Sequence, residues 1–347
     1  MNINSYFCTK YGKSHISADM DLSIIVPFYN VGKYIRSCME SMFRQGLDEE
    51  CFEIIAINDG STDNSIQAIE DLLNVHRNIR IINSNKQGVS VARNTGIEKA
   101  LGTYILFVDS DDMLIDNTLS PLLQEALKSR PDMLVADYAK MDDQQIESRN
   151  VPSSDCTFLP TTGTELFLHQ LNPRACYIWN KLYSRDFLNK NCLRFTPGIY
   201  FEDIPFTIAC YLSAEGCIES TSLFYIYRQR PASICSSIDI RKIFDLNTVL
   251  VLLEDIIQRK ADLQDCQHRQ VTEIMFATFS ITLWYTVSDK QLFEQRKEII
   301  KDLRGKVPNL YFSNTIKQRM VSMVFRAMPC TYLAFRRLLG RLTKGFK

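Results

Sequence analysis

The feature that most constrains the fold is a short apolar run that ends in a cluster of acids. Residues 104–108 are all apolar or aromatic, and Asp109, Asp111 and Asp112 follow within four positions. Such a run predicts a strand buried on both faces, and parallel sheets bind ligands at the carboxyl ends of such strands. Two interpretations stay open. The acids bind a divalent cation that itself holds a diphosphate, or they form an acidic turn that caps a helix.

Runs of the same kind alternate with helical patterns along the first 140 residues. Pro27 is expected to end the first strand, because it lacks a backbone donor. Asn30 and Gly46 are expected to bound the helix that follows. The alternation predicts an α/β fold with a mostly parallel sheet and helices on both faces. The predicted strands are 22–27, 52–59, 80–82, 103–108 and 133–137.

Polar residues follow three of these strands at the point where each strand ends. Tyr29, Asp59 and Asp109 each come directly after a buried run. Because the carboxyl ends of parallel strands meet at one edge of the sheet, we expect these three side chains to share a cleft.

Composition narrows the class of protein. Lys plus Arg and Asp plus Glu both number 40, so the charge balance gives no support for nucleic-acid binding. The 11 Cys lack CxxC spacing and only four His are present, which argues for reduced thiols in a cytosolic protein and against a disulfide frame or a zinc site. Residues 1–20 lack an apolar signal segment and are expected to be a loose leader. No apolar run reaches the roughly 18 residues of a transmembrane helix.

The last hundred residues have a different pattern. From residue 240 onward the chain is expected to be all helical. Residues 303–347 contain ten basic residues and no acid, interleaved with apolar residues. This pattern predicts a basic amphipathic surface that contacts an anionic membrane peripherally. The alternative is a helix that packs on its own domain and leaves a basic face in water.

Five segments together carry a family resemblance. VPFYN, INDGSTDNS and GVSVARNTGIEKALGTYILFVDSDD occur in that order, followed by WNKLYSRDFL and GIYFEDIPF. In this combination the chain resembles family 2 glycosyltransferases with a GT-A fold, of the type that builds bacterial surface or capsular polysaccharide. The resemblance implies a GT-A domain at 21–238, divided into a nucleotide-sugar half (21–140) and an acceptor half (141–238). A helical C-terminal region would follow at 239–347.

The resemblance also implies which residues bind the nucleotide. Pro27 and Tyr29 would border the uracil pocket, and Asp59 would accept a hydrogen bond from the uracil N–H. Arg93 would lie near the base or the phosphates, with Asn94 beside it.

The same resemblance implies the metal and catalytic groups. Asp109 and Asp111 would be the DxD pair that binds Mg²⁺ or Mn²⁺, with Ser110 between them and Asp112 behind. Asp203 would be the catalytic base, with Glu202 as its neighbour. Two further residues are expected nearby: Trp179 would line the sugar pocket, and Arg228, with Arg230, would approach the diphosphate.

The implied activity is inverting transfer of a sugar from a nucleoside diphosphate sugar, with a UDP-sugar expected. The acceptor would be a hydroxyl of a saccharide or a lipid-linked saccharide, and the enzyme would be cytoplasmic or peripheral on the inner face of the plasma membrane. One alternative is a haloacid-dehalogenase-like Mg²⁺-dependent phosphatase, which also carries a D-x-D after an apolar strand. Another is a sugar-nucleotide-binding protein without activity. A nicotinamide enzyme is disfavoured because no GxGxxG follows the first strand.

Overall fold

A computed structural model describes residues 20–148, 155–169, 176–230, 238–260 and 262–344. Its strands form one sheet. They are β1 (Leu22–Phe28), β2 (Phe52–Asn58), β3 (Ile79–Asn83), β4 (Tyr104–Phe107), β5 (Met113–Leu114), β6 (Met133–Met141), β7 (Phe158–Thr161), β8 (Lys181–Ser184) and β9 (Cys217–Arg228).

Helices lie between the strands and make up the described part of the chain after β9. They are α1 (Ile35–Phe43), α2 (Glu70–Val75), α3 (Val89–Lys99), α4 (Leu119–Ser129), α5 (Asp143–Glu147), α6 (Gly163–His169), α7 (Arg185–Lys190), α8 (Asp203–Ser213), α9 (Ile240–Arg259), α10 (Asp265–Ser288), α11 (Lys290–Glu294), α12 (Arg296–Lys306), α13 (Ile316–Ala327) and α14 (Pro329–Lys344). No described helix is long and apolar enough to cross a membrane.

The strand order is β3-β2-β1-β4-β8-β6-β9-β5, and β7 pairs with β9. In the first half β1, β2, β3 and β4 are all parallel, and Ile25 of β1 pairs with both Ile55 of β2 and Phe107 of β4. The predicted parallel sheet is therefore confirmed for this half. The second half is mixed, because β8 runs antiparallel to both β4 and β6 while β6 and β9 are parallel.

The predictions at the end of β1 were wrong in two details. Pro27 does not end the strand, which continues to Phe28. The Ile25 carbonyl faces β4, and the backbone nitrogen of Pro27, two residues further on, faces the same side. The ladder with β4 ends at Ile25, whereas the pairing with β2 continues to Phe28, so the missing donor leaves the pairing with β2 intact. Asn30 does not cap α1, whose N-cap is Tyr34; instead the Asn30 Oδ1 accepts from the Thr62 N–H at 2.8 Å.

The C-terminal helices share the core of the sheet. Val249 and Leu253 of α9 and Ile274 of α10 are fully buried, in the same apolar cluster as Ile25 and Phe107. The predicted helical character of the chain after residue 240 is confirmed for its described residues. The predicted division between 238 and 239 stays a prediction.

Candidate active site

The loops after β1 and β2 form one side of the cleft. Tyr29 is 39% exposed, and the Lys86 ammonium lies 4.9 Å from the centre of its ring. Asp59 is buried, and its two carboxylate oxygens accept hydrogen bonds from the Gln87 and Gly88 backbone N–H groups, each at 2.8 Å. Gly88, with φ of 92°, is the residue before α3. Asp59 therefore joins the end of β2 to the start of α3, and its oxygens keep lone pairs for a further donor.

Arg93 of α3 connects the end of β4 to the start of α8. Its Nη1 lies 2.5 Å from Glu202 Oε1, and its Nη2 lies 3.0 Å from Asp109 Oδ1. The guanidinium also lies 5.2 Å from the centre of the Phe195 ring, and the Arg93 side chain is only 7% exposed. Charge-assisted hydrogen bonds of this kind fix geometry as well as charge. Arg93 thus brings together two acids that are far apart in the sequence.

The predicted base lies at the first turn of α8. Glu202 is the N-cap residue and Asp203 the first helical residue, so the helix begins at this acidic pair. Asp203 Oδ1 accepts from the Ile204 N–H at 3.0 Å. Burial and the neighbouring Glu202 charge raise the pKa of Asp203 to about 7, although the Arg93 cation opposes the rise. A carboxylate that titrates near neutral pH suits a general base.

The acidic turn after β4 is held by Tyr225 of β9. The Asp109 N–H donates to Tyr225 Oη at 3.1 Å, and this hydroxyl donates to Asp112 Oδ2 at 2.8 Å. The Arg228 N–H donates to the other Asp112 oxygen at 2.8 Å. Burial, with the charges of Asp109 and Asp111, raises the pKa of Asp112 well above its ordinary value. Asp112 therefore anchors the turn, in which Ser110 is also buried.

Two arginines at the end of β9 face the same turn. Arg230 Nη2 lies 2.5 Å from Asp111 Oδ2, and Arg228 Nε donates to the Asp111 carbonyl at 2.8 Å. Both guanidinium groups lie over the Tyr34 ring, at 5.2 and 5.4 Å from its centre. Burial and Asp109 raise the pKa of Asp111, while Arg230 opposes the rise. Arg230 thus forms a direct ion pair with the acidic turn, and the predicted approach of Arg228 and Arg230 to the diphosphate stays a prediction.

The residues present fit a metal that takes part of its ligands from a substrate. Among the described residues, no group of three or more His, Cys, Asp or Glu side chains is placed to hold a metal ion. The Asp109 and Asp111 side chains are 31% and 20% exposed and lie in one turn. Mg²⁺ is commonly held by one or two carboxylates together with substrate phosphates, so this pair suits such a site.

Two predicted site residues have structural contacts. Trp179 is 3% exposed and stacks on Tyr177 and Tyr225, with ring centres 4.4 and 4.3 Å apart. It therefore supports the tyrosine that holds the acidic turn, and its predicted place in a sugar pocket stays a prediction. Asn94 bonds the Phe195 backbone in both directions, at 2.8 and 2.9 Å. Pro27 lies within β1.

Tyr225 and Tyr34 were missed by sequence reasoning. Tyr225 is fully buried on β9, and a buried tyrosine hydroxyl usually has a hydrogen-bond partner. The sequence therefore predicts that Tyr225 has a polar partner, but it does not identify Asp112 as that partner.

Comparisons with known proteins find similarity to glycosyltransferases. Residues 23–191 match the family model described as "Glycosyl transferase family 2". Residues 23–191 are therefore similar to glycosyl transferase family 2. The Bacillus subtilis protein named "Uncharacterized glycosyltransferase EpsJ" is 35% identical over 222 residues, which cover 61% of this chain and 62% of EpsJ. The chain thus aligns with less than two thirds of the length of EpsJ.

Two solved structures share the fold. Staphylococcus aureus TarS 1–349 in complex with UDP has a TM-score of 0.64 and 25% identity, covering 83% of this chain and 81% of that chain. These values confirm the predicted GT-A fold. The mannosyltransferase PcManGT from Pyrobaculum calidifontis, in complex with GDP-Man and Mn²⁺, matches at a TM-score of 0.52 and 12% identity over 91% of this chain and 86% of that chain. This second likeness concerns the fold alone.

Proposed function

We propose that this chain is an inverting glycosyltransferase of family 2. It transfers a sugar from a UDP-sugar to a hydroxyl of a saccharide or lipid-linked saccharide during cell-surface polysaccharide synthesis. The observation that carries the proposal is the pair of contacts made by Arg93, which joins Asp109 at the end of β4 to Glu202 at the start of α8. The donor acids and the predicted base therefore belong to one site.

UDP is the nucleotide that the residues support best. Asp59 is held rigidly by two backbone N–H groups at the end of β2, and its remaining lone pairs can accept the uracil N–H. Tyr29 is half exposed beside it and offers a ring for the base. The similarity to TarS, whose structure contains UDP, supports the same donor class. Staphylococcus aureus TarS is named a poly(ribitol-phosphate) beta-N-acetylglucosaminyltransferase, so an N-acetylhexosamine is the first sugar to test.

Mg²⁺ or Mn²⁺ would be held by Asp111, with Asp109 beside it. When bound, such an ion stabilises the negative charge of the departing diphosphate. Arg93 holds Asp109 in place, and Arg228 fixes the backbone of the turn through the Asp111 carbonyl. Arg230 balances the charge of Asp111. These residues together hold the acidic turn in a defined geometry, although its carboxylates repel one another.

Asp203 accepts the proton of the attacking hydroxyl, and Glu202, held by Arg93, fixes the start of the helix that carries it. A single base on the face opposite the leaving group gives direct displacement and inversion. A retaining double displacement requires a second carboxylate as nucleophile, and the motifs of this chain do not supply one.

The finer parts of the proposal concern location and acceptor. The enzyme works in the cytoplasm, in peripheral contact with an anionic membrane, where a lipid-linked saccharide would be reached. Nucleic acid is not proposed as a partner, because the balance of 40 basic and 40 acidic residues gives no support for it.

The test is a donor screen with the full chain, Mn²⁺, and UDP-, GDP- and dTDP-sugars, with release of nucleotide as the readout. The proposal predicts turnover of a UDP-sugar that increases when a saccharide acceptor is added. Binding of UDP-sugars without turnover across the acceptor panel would favour the non-catalytic alternative. Hydrolysis of an aryl phosphate without any sugar nucleotide would favour the phosphatase, which the family assignment does not support.

A further inference from the structure

Helix α13 presents an apolar face to solvent. Ile316, Met320 and Met323 are 74%, 59% and 54% exposed, and their spacing of four and three residues places them on one face of the helix. Val324 beside them is 42% exposed. A helix on the surface of a globular protein ordinarily buries the residues of its apolar face.

The opposite face of α13 is the one that packs on the protein, and it carries polar residues as well as the apolar Val321 and Phe325. Gln318 Nε2 donates to both carboxylate oxygens of Glu273 at 2.8 Å, and Ser322 Oγ accepts from the Phe312 N–H at 3.0 Å. Phe325 is the buried apolar residue of this face. The first of these residues, Gln318, lies two positions after Ile316, which places it about 200° around the helix from Ile316. Helix α13 thus packs on its own domain with its basic residues exposed, as the alternative expected, while Ile316, Met320 and Met323 also face solvent.

Basic residues flank the exposed apolar face. Lys317 lies on one side of it, and Arg319 and Arg326 lie on the other, about 80–100° from its centre. All three are exposed. The segment 303–347 contains no acid to neutralise them. An apolar ridge between basic edges is the arrangement of a helix that lies in a membrane interface, with long basic side chains reaching the head groups.

The exposed apolar surface continues into α14. Met328, between the two helices, is 57% exposed, and Phe335 and Leu338 of α14 are 57% and 56% exposed. Exposed large apolar residues are thus frequent in this segment of the chain.

We propose that the outward face of α13, continued by α14, docks on the surface of an anionic lipid bilayer. The inference deepens the proposed function and rests on it, because a surface-bound enzyme reaches a lipid-linked acceptor. The charge pattern selects this occupant. A second copy of the chain would bring the same basic edges against each other, whereas anionic head groups neutralise them.

The test measures co-sedimentation of the full chain with vesicles of phosphatidylglycerol and phosphatidylcholine, and with phosphatidylcholine alone. The apolar variant is Met320→Glu with Met323→Glu, and its matched control is Val75→Glu, at an apolar residue 70% exposed on α2. A charge variant combines Lys317→Gln, Arg319→Gln and Arg326→Gln. Thermal unfolding checks that each variant folds, and nucleotide release without vesicles reports the transferase separately.

The proposal predicts binding to the anionic vesicles that weakens in high salt and is nearly absent on phosphatidylcholine. The apolar variant loses at least about tenfold in affinity, the charge variant about a hundredfold, since each basic residue contributes about fivefold. The Val75 control binds like the parent. The proposal is overturned if the folded apolar variant binds the vesicles as tightly as the parent. It is also overturned if the parent is a dimer in lipid-free solution and this variant dissociates the dimer. Both conclusions hold regardless of the rate of donor turnover.

Discussion

The Arg93 guanidinium lies 2.5 Å from the Glu202 carboxylate, so helix α3 is tied to the start of helix α8 across 109 residues of sequence. Both side chains are nearly buried, at 7% and 11% exposure. The second Nη of Arg93 reaches Asp109 at the end of β4. One arginine therefore contacts both a predicted donor acid and the neighbour of the predicted base.

Replacing Arg93 by methionine should lower the free energy of unfolding by about 3 kcal/mol, because the buried Glu202 carboxylate loses its partner. Urea denaturation measures the change. Arg36→Met is the matched control, since Arg36 pairs with Asp71 at 2.7 and 2.8 Å but both side chains are well exposed. That control should cost much less stability, because water and salt screen an exposed pair. Equal losses for the two variants would mean that the Arg93 pair is not the stabilising contact described here.

The Asp203→Asn variant should reduce transfer by at least about a hundredfold and leave UDP affinity within a few-fold, because the base acts on the acceptor. Steady-state transfer and calorimetric titration with UDP measure the two quantities. Asp48→Asn, at an exposed acid, serves as the control. A variant with the parent rate would remove Asp203 from the mechanism.

The rate of transfer should also depend on pH in a defined direction. The pKa of Asp203 is raised to about 7, and a base must be unprotonated to accept a proton. Transfer at limiting acceptor should therefore fall as the pH drops below about 7 and level off above it. A profile that is flat between pH 5.5 and 8 would contradict the assignment.

Asp111 and Arg230 should act in opposite senses on metal-dependent nucleotide binding. The Asp111→Asn variant should lose the gain in UDP affinity that Mn²⁺ gives, because it removes the negative charge that holds the ion. The Arg230→Gln variant should need less Mn²⁺ for half-maximal UDP binding, since the Asp111 carboxylate is no longer neutralised at 2.5 Å. Arg44→Gln, which loses only an exposed pair with Asp116, is the control. Identical Mn²⁺ titrations for all the variants would argue against a metal at this turn.

Removal of the Tyr225 hydroxyl should cost about 1–3 kcal/mol of stability, because Asp112 and the Asp109 N–H both lose a buried partner. The Tyr183→Phe variant is a close control. Its hydroxyl is buried and has no hydrogen-bond partner in the described part of the chain, so its removal should be neutral or stabilising. Thermal unfolding of the two variants distinguishes these outcomes.

The strands were predictable because their residues are buried on both faces. β1, β2 and β4 are uninterrupted apolar or nearly apolar runs, and the structure gives bounds within two residues of those predicted for them. Parallel pairing then brings Asp59 and Asp109 to the same sheet edge. The local sequence pattern therefore predicts the strands and the sheet edge shared by these acids without any knowledge of distant contacts.

The contacts that hold the site were not predictable in the same way. Asp112 bonds Tyr225 across 113 residues, and no local pattern links the two. The amphipathic pattern of α13 was visible in the sequence. Periodicity separates an apolar face from a polar face, but it does not show which face packs against the protein. That choice depends on Glu273 of another helix, which binds Gln318.

The most direct test of the central claim is the position of Mn²⁺ in an anomalous difference map of crystals grown with UDP. The account predicts one peak bonded to the Asp111 carboxylate and the diphosphate, with Asp203 facing it across a space for a sugar and the uracil beside Asp59. A nucleotide bound on another surface, with Arg230 still paired to Asp111 and no manganese at the turn, would contradict it.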